Sequence, residues 1–275
     1  MGARSGLITA DELASELDQA GRRLAIVDLR RNRDDGRAKI PGSAWISLHD
    51  GFAQVRPERN LHYDLPTPDE FAGALSRLGI APETTVVLAD DMGNRWSTRV
   101  YWLMTYYDHV GPVRVLDGGI AAYLSSGHPT AEQFDSPPQS RYPPPVNGNE
   151  SIRITRDQVL EGLEGGSLTL CDVRTPEEFG GELQLSGRGG HIPGAINVPW
   201  DQALHADGTF LPNSRLVEVL APYLDDASPQ VTYCQGGIRA SLTWFALQVL
   251  LGRKAKLYAA SWEEWAQDPD LPVAR

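Results

Sequence analysis

The chain has 275 residues, and its 25 lysines and arginines face 36 aspartates and glutamates; the net charge of −11 argues against bulk attraction to nucleic acid or an anionic membrane. A hydrophobic content of 41% with 22% charged residues is that of a globular protein, and the length suits two domains of ordinary size. No apolar run approaches the ~20 residues of a membrane span. With no signal-peptide core at the N-terminus and only Cys171 and Cys234 as cysteines, neither a disulfide framework nor a zinc-ligand pattern is expected, and a reducing, cytoplasmic compartment is.

In chain order, Thr9 followed three residues later by Glu12 predicts a capped helix to about Gln19, and residues 24–30 read as a buried strand. The loop and short strand at 40–46 follow. Residues 67–78 form a capped amphipathic helix with Phe71, Leu75 and Leu78 on one face. A strand at 85–90, a helix from Thr98 to about Tyr107 and a strand at 113–117 complete the first half. In the second half a helix starts near 154, with strands at 168–174 and 230–233. The loop and strand at 191–198 and a helix at 215–223 lie between those two strands. A helix at 240–251 and a strand at 256–258 follow.

The elements come twice in the same order, and residues match across the copies. Asp28-Leu-Arg30 pairs with Asp172-Val-Arg174, and Ile40-Pro-Gly42 with Ile192-Pro-Gly194. The second copy carries an extra glycine-rich insert at 180–190. Strands alternating with helices imply a mainly parallel sheet flanked by helices on both faces in each half. The expected domains are 1–130 and 151–275, joined by a proline-rich linker at 131–150.

The stretch from Val231 to Ala240 concentrates the chemistry. A strand ends at Cys234, Gln235-Gly236-Gly237 follows, and a helix begins near Ala240, so the thiol should sit among the backbone N–H groups of Gln235, Gly236, Gly237, Ile238 and Arg239. Such a cradle favours a thiolate, and Cys234 is read as the nucleophile. Arg239 opposes the helix dipole, an unfavourable local choice that suggests an anion-binding role. Cys171, inside a strand, reads as core. Asp172 reads as a structural carboxylate fixing loop amides or pairing with Arg174, and His191 as a loop-fixing hydrogen bonder. Trp262 and Trp265 share a helix face and read as core, with Trp262 as an alternative pocket wall. Arg188, beside His191 in the insert, is placed to reach the same pocket. Laying 85–90 on 230–234 sets Asp90 opposite Cys234 and Arg95 opposite Arg239. Cysteine phosphatases carry an arginine six positions after the cysteine. Here that position is Ala240 and the loop is one residue shorter, which suits a single sulfur better than a phosphate.

These motifs, with Leu78-Gly-Ile80, Val115-Leu-Asp-Gly-Gly119, Gly127-His-Pro129, Arg188-Gly-Gly-His-Ile-Pro-Gly-Ala195 and Ser261-Trp-Glu-Glu-Trp265, resemble the two-domain rhodaneses, the thiosulfate and 3-mercaptopyruvate sulfurtransferases, over nearly the whole chain. The resemblance implies two tandem rhodanese-like domains, the first inactive with Asp90 in place of the cysteine. It implies a thiosulfate sulfurtransferase, with 3-mercaptopyruvate as the close alternative donor, that holds sulfur as a persulfide on Cys234. A thiophilic acceptor such as cyanide or a thiol then takes the sulfur, without metal or organic cofactor. Animal members place a donor-binding arginine four residues after the one matching Arg174; here Glu178 stands there, so Arg188, Arg174 and Arg239 become the candidate arginines. The partners are a small anionic donor and a small acceptor, with no nucleic acid or membrane. A non-catalytic sulfur carrier or regulatory module is the alternative, and a cysteine-dependent phosphatase or arsenate reductase a further one.

Overall fold

The computed structural model describes residues 6–19, 24–224 and 228–275, and these fall into two compact units. The described residues of Met1–Ala53, Pro66–Gly148 and His205–Phe210 make the first; those of Gln54–Leu65, Asn149–Leu204 and Leu211–Arg275 make the second. Each unit therefore takes in a short segment from the opposite half, which a cut at a single linker does not anticipate. The proline-rich stretch runs along the first unit. Ala131 bridges to Lys39, Ser140 N–H donates to the Ser76 carbonyl at 3.0 Å, and Tyr142 is buried.

The first unit opens with β1 (Leu7–Ile8), α1 (Ala10–Leu17), β2 (Leu24–Asp28) and β3 (Ser43–Trp45). The hairpin β4 (Gln54–Arg56) and β5 (Leu61–Asp64) belongs to the second unit. After it come α2 (Pro68–Arg77), β6 (Thr85–Ala89), α3 (Arg95–Tyr106), β7 (Val113–Leu116) and α4 (Gly119–Ser125). The five-stranded sheet has the order β1-β7-β6-β2-β3 with every pair parallel. Near-continuous apolar runs at 26–29 and 86–89 are buried, as strands covered on both faces require. Thr9 makes the capping box expected with Glu12, and Thr67, at the start of the expected capped helix, makes one with Glu70. The third helix begins at Arg95, three residues before its predicted start, because Gly93 and Asn94 turn the chain left-handed at φ 66° and 62°.

In the second unit α5 (Arg156–Glu164), β8 (Thr169–Asp172), α6 (Pro176–Gly180), β9 (Ile196–Asn197), α7 (Asn213–Val219), β10 (Gln230–Tyr233), α8 (Ile238–Phe245), β11 (Ala255–Leu257) and α9 (Ser261–Trp265) follow. The sheet order β11-β10-β8-β9 is again all parallel, and Arg153 bridges to Leu257 much as β1 pairs with β7. Helix α8 starts earlier than predicted and passes into a π-helical turn at Ala246–Leu250. One core gathers Val159, Leu170, Val231, Tyr233, Trp262 and Trp265; its counterpart gathers Leu13, Ile26, Val87, Leu116 and Ile120. Among the described residues no helix is long and apolar enough to cross a membrane.

Candidate active site

Strand β10 ends at Tyr233, in register with Asp172 of β8, so Cys234 stands at the carboxyl edge of the central strand. Its side chain is 1% exposed. The chain turns at Gly237, whose φ of +81° only glycine adopts readily and where a Cβ would lie 2.2 Å from the Ala259 carbonyl oxygen. The first turn of α9 braces the loop. Cys234 N–H donates to Ser261 Oγ at 3.1 Å, Trp262 N–H to the Cys234 carbonyl at 3.0 Å, and Glu263 N–H to the Gln235 carbonyl at 2.8 Å. Ser261, at φ +58°, passes its own proton to the Tyr258 carbonyl at 2.8 Å.

Gly237 N–H points at the sulfur, with N to Sγ at 3.1 Å. Among the described residues, the amides of Gln235, Gly236, Ile238 and Arg239 meet no protein acceptor. These are the open donors that a helix N-terminus leaves behind. The arrangement is a thiol with one fixed donor and further amides available to a charged species.

Arg239 forks onto Glu178, with Nη1 to Oε2 at 2.6 Å and Nη2 to Oε1 at 2.8 Å. Glu178 is 2% exposed and closes the capping box of α6, accepting Thr175 N–H. Burial works most strongly against both charges, yet each is held ionised. The Glu178 hydrogen bond and the nearby Cys234 keep the Arg239 guanidinium above its usual range. The same pairing pulls the Glu178 carboxyl below the usual glutamate range.

The other expected arginines are committed elsewhere. Arg174 is 1% exposed; it binds Asp172 through Nε at 3.0 Å and Nη2 at 2.6 Å, gives Nη2 also to the Gly190 carbonyl, and lies 4.7 Å over the Trp262 ring. Arg188 donates to the carbonyls of Ala266 at 3.2 Å, Leu271 at 2.8 Å and Trp265 at 3.0 Å, and to that of Asp268. Both are expected to take a donor's anionic end, and in this structure both already have protein partners. Their guanidinium groups satisfy the protein's own carbonyls and carboxylate, leaving Arg239 as the arginine beside the thiol. Asp172 serves the loop after β8 as a structural carboxylate. His191 gives Nδ1 a partner in the Phe179 carbonyl at 3.0 Å and stacks on the Phe179 ring. Trp262 is buried and donates to the Arg188 carbonyl. Cys171 lies fully buried in β8, where burial pushes its thiol well up, away from ionisation.

Several contacts around the loop carry no sequence signal. Gln235 Nε2 donates to Ser186 Oγ of the insert, and a Cβ at Gly236 would meet the Tyr63 ring at 2.9 Å. Glu263 accepts from His62 N–H at 3.0 Å, with its other oxygen against His62 Nδ1. Tyr63 and His62 are reached only because the β4–β5 segment lies in this unit. Ser261 stands in a quoted motif, but its hydroxyl role depends on a left-handed backbone that spacing does not reveal.

In the first unit the corresponding strand, β6, ends before Asp90. Its carboxylate accepts the amides of Met92 at 2.8 Å, Asn94 at 2.9 Å and Ser97 at 2.7 Å. Burial, the largest influence, pushes the Asp90 carboxyl up against these three bonds, which favour its charged form. Asp28 and Arg30 repeat the geometry of Asp172 and Arg174, with Nε at 3.0 Å and Nη2 at 2.8 Å from the carboxylate.

Comparison with known proteins agrees with this duplication. The model of the rhodanese-like domain matches twice, at residues 9–126 and 155–268. The chain is 35% identical over 98% of its length, and 96% of the other, to the "Putative thiosulfate sulfurtransferase SseB" of Mycobacterium tuberculosis. It is 38% identical to the "Sulfur carrier protein TtuD" of Thermus thermophilus, over 77% of this chain and 78% of that one. The crystal structure of Tum1 from Saccharomyces cerevisiae superposes with a TM-score of 0.84 at 20% identity, covering 97% of this chain and 96% of that one, and so shares the fold. The chain belongs to the rhodanese family, as a tandem of two rhodanese-like domains.

Proposed function

We propose that the protein is a sulfurtransferase in which Cys234 carries sulfur as a persulfide. The observation that carries this reading is the contrast within one loop: a thiol accepts the Gly237 amide while four neighbouring amides have no acceptor among the described residues. The Cys234 thiolate attacks the outer sulfur of thiosulfate. The S–S bond of the donor breaks, sulfite leaves with the bonding electron pair, and the transferred sulfur stays on Sγ. The open amides receive the charge that develops on the outer sulfur, a preorganised stabilisation that needs no metal. A thiophilic acceptor such as cyanide or a thiol then attacks that sulfur and frees the thiolate. With 3-mercaptopyruvate as donor the C–S bond breaks instead, its electron pair leaves as the enolate of pyruvate, and the donor's thiol proton goes to that carbon to give pyruvate. The reading extends to a small anionic donor and a small acceptor as partners.

Thiocyanate formation from thiosulfate and cyanide tests this, with parallel double-reciprocal lines expected for the ping-pong order. Turnover in Cys234→Ser equal to that of the native protein would sink it. A second reading has one specific support, the 38% identity to a protein named as a sulfur carrier. On that reading the persulfide forms on Cys234 and passes to another protein, and turnover with cyanide is slow compared with the loading of sulfur.

A further inference from the structure

Among the described residues, Arg174, Arg188 and Arg239 each have partners in their own chain, and Arg239 is the instructive case. Arg174 is paired with Asp172, and Arg188 is bound to four carbonyls. Arg239, whose guanidinium the nearby Cys234 helps to keep charged, has both terminal nitrogens on Glu178. Glu178 cannot swing away cheaply. Oε2 also accepts Thr175 N–H at 3.2 Å, and releasing it would open the first turn of α6. A guanidinium forked end-on onto a carboxylate has that edge occupied, and the pair carries no net charge. Gln235 places a further acceptor, Oε1, buried and without a hydrogen-bond partner. Among the described residues, these three arginines thus offer a donor no unpartnered positive charge, and the open loop amides are the anion-stabilising groups that remain.

Resting on the sulfur-transfer reading above, we propose that Glu178 sets which charge of sulfur donor the site accepts. By occupying Arg239, it weakens binding of a dianion such as thiosulfate far more than binding of a donor with one negative charge, such as 3-mercaptopyruvate. Glu178 is a specificity-determining residue that acts through Arg239.

The test compares native protein, Glu178→Gln and Glu178→Asp, measuring KM and kcat with thiosulfate and with 3-mercaptopyruvate, and the mass of Cys234 after each donor. Glutamine keeps the capping box, so the fold is retained while the negative charge is lost. In Glu178→Gln the KM for thiosulfate falls about tenfold, the effect of regaining roughly one charge-assisted hydrogen bond, and that for 3-mercaptopyruvate falls much less. In Glu178→Asp, which keeps the charge, the ratio of the two KM values stays near native. An unchanged ratio in Glu178→Gln overturns the proposal, as does an equal shift in both variants, or a fall in kcat for both donors with no separation of their KM values. If neither donor adds sulfur to Cys234 in any of the three folded proteins, the sulfur-transfer reading itself falls, and this inference with it.

Discussion

The loop after β6 and the loop after β10 occupy the same place in two copies of one sheet, and they differ in what fills the ring of amides. In the first unit the Asp90 carboxylate takes three N–H groups, two, four and seven residues ahead. In the second, Cys234 sulfur takes one, three residues ahead, and the helix begins one position earlier relative to the strand end. A carboxylate presents two oxygens and about four acceptor positions, enough to satisfy a helix N-terminus internally. A single sulfur cannot do so, and its amides stay available. One cradle is closed by its own side chain; the other is left ready for a transferred atom.

The comparison breaks most sharply at the sulfur. Cys234→Ser keeps the loop's size but removes the nucleophile, and turnover of thiosulfate and cyanide should drop by about 10³-fold or more. Cys171→Ala should retain turnover, since that thiol lies in β8 far from ionisation. Loss of turnover on changing Cys171 instead would assign the chemistry to the wrong strand. The converse change in the first unit, Asp90→Ala, leaves the buried amides of Met92, Asn94 and Ser97 without their acceptor and should cost about 2–4 kcal/mol, read from urea unfolding. A cost below about 0.5 kcal/mol would mean that the carboxylate does not close that loop.

Arg188→Ala is expected to cost about 1–3 kcal/mol, because the carbonyls of Trp265, Ala266, Asp268 and Leu271 lose their shared donor. Its effect on the KM for thiosulfate should be small. A large rise in KM with unchanged stability would assign Arg188 a substrate-binding role. The smallest effect concerns pH. Glu178 has a folded pKa below its unfolded value, so its pair with Arg239 stabilises above the usual glutamate range. That contribution is lost as pH falls through the lowered folded value. The gap in urea midpoint between native protein and Glu178→Gln should be present at pH 7 and shrink below about pH 4. A gap independent of pH would show that the carboxylate's charge is not what stabilises.

Much of this was legible locally. The caps at Thr9 and Thr67 and the buried strands ending at Asp28 and Asp172 rest on residues a few positions apart, where backbone geometry and spacing act directly, and the opposition of Asp90 to Cys234 rests on the repeat. Helices α4 and α6 and the β4–β5 hairpin were not read. Two are short, and the hairpin's partners, Glu263 and Gly236, lie roughly 200 and 170 positions further along. The protein partners of the arginines were not read for the same reason. Spacing puts Arg188 and Arg174 near the loop, but only the folded chain shows that carbonyls at 265–271 and the Asp172 carboxylate already occupy them.

By itself the sequence determined the duplicated α/β plan, the position of a thiol at the end of a central strand, and its replacement by aspartate in the other copy. These follow from apolar periodicity and turn chemistry, which are short-ranged. The tertiary structure alone decided which carboxylate holds Arg239, namely Glu178, 61 positions away. It also decided that Ser261, through its left-handed backbone, would brace the loop. Hydrogen bonds and ion pairs act over a few ångströms in space, whatever their separation along the chain, so their partners are settled only when the strands are brought into register.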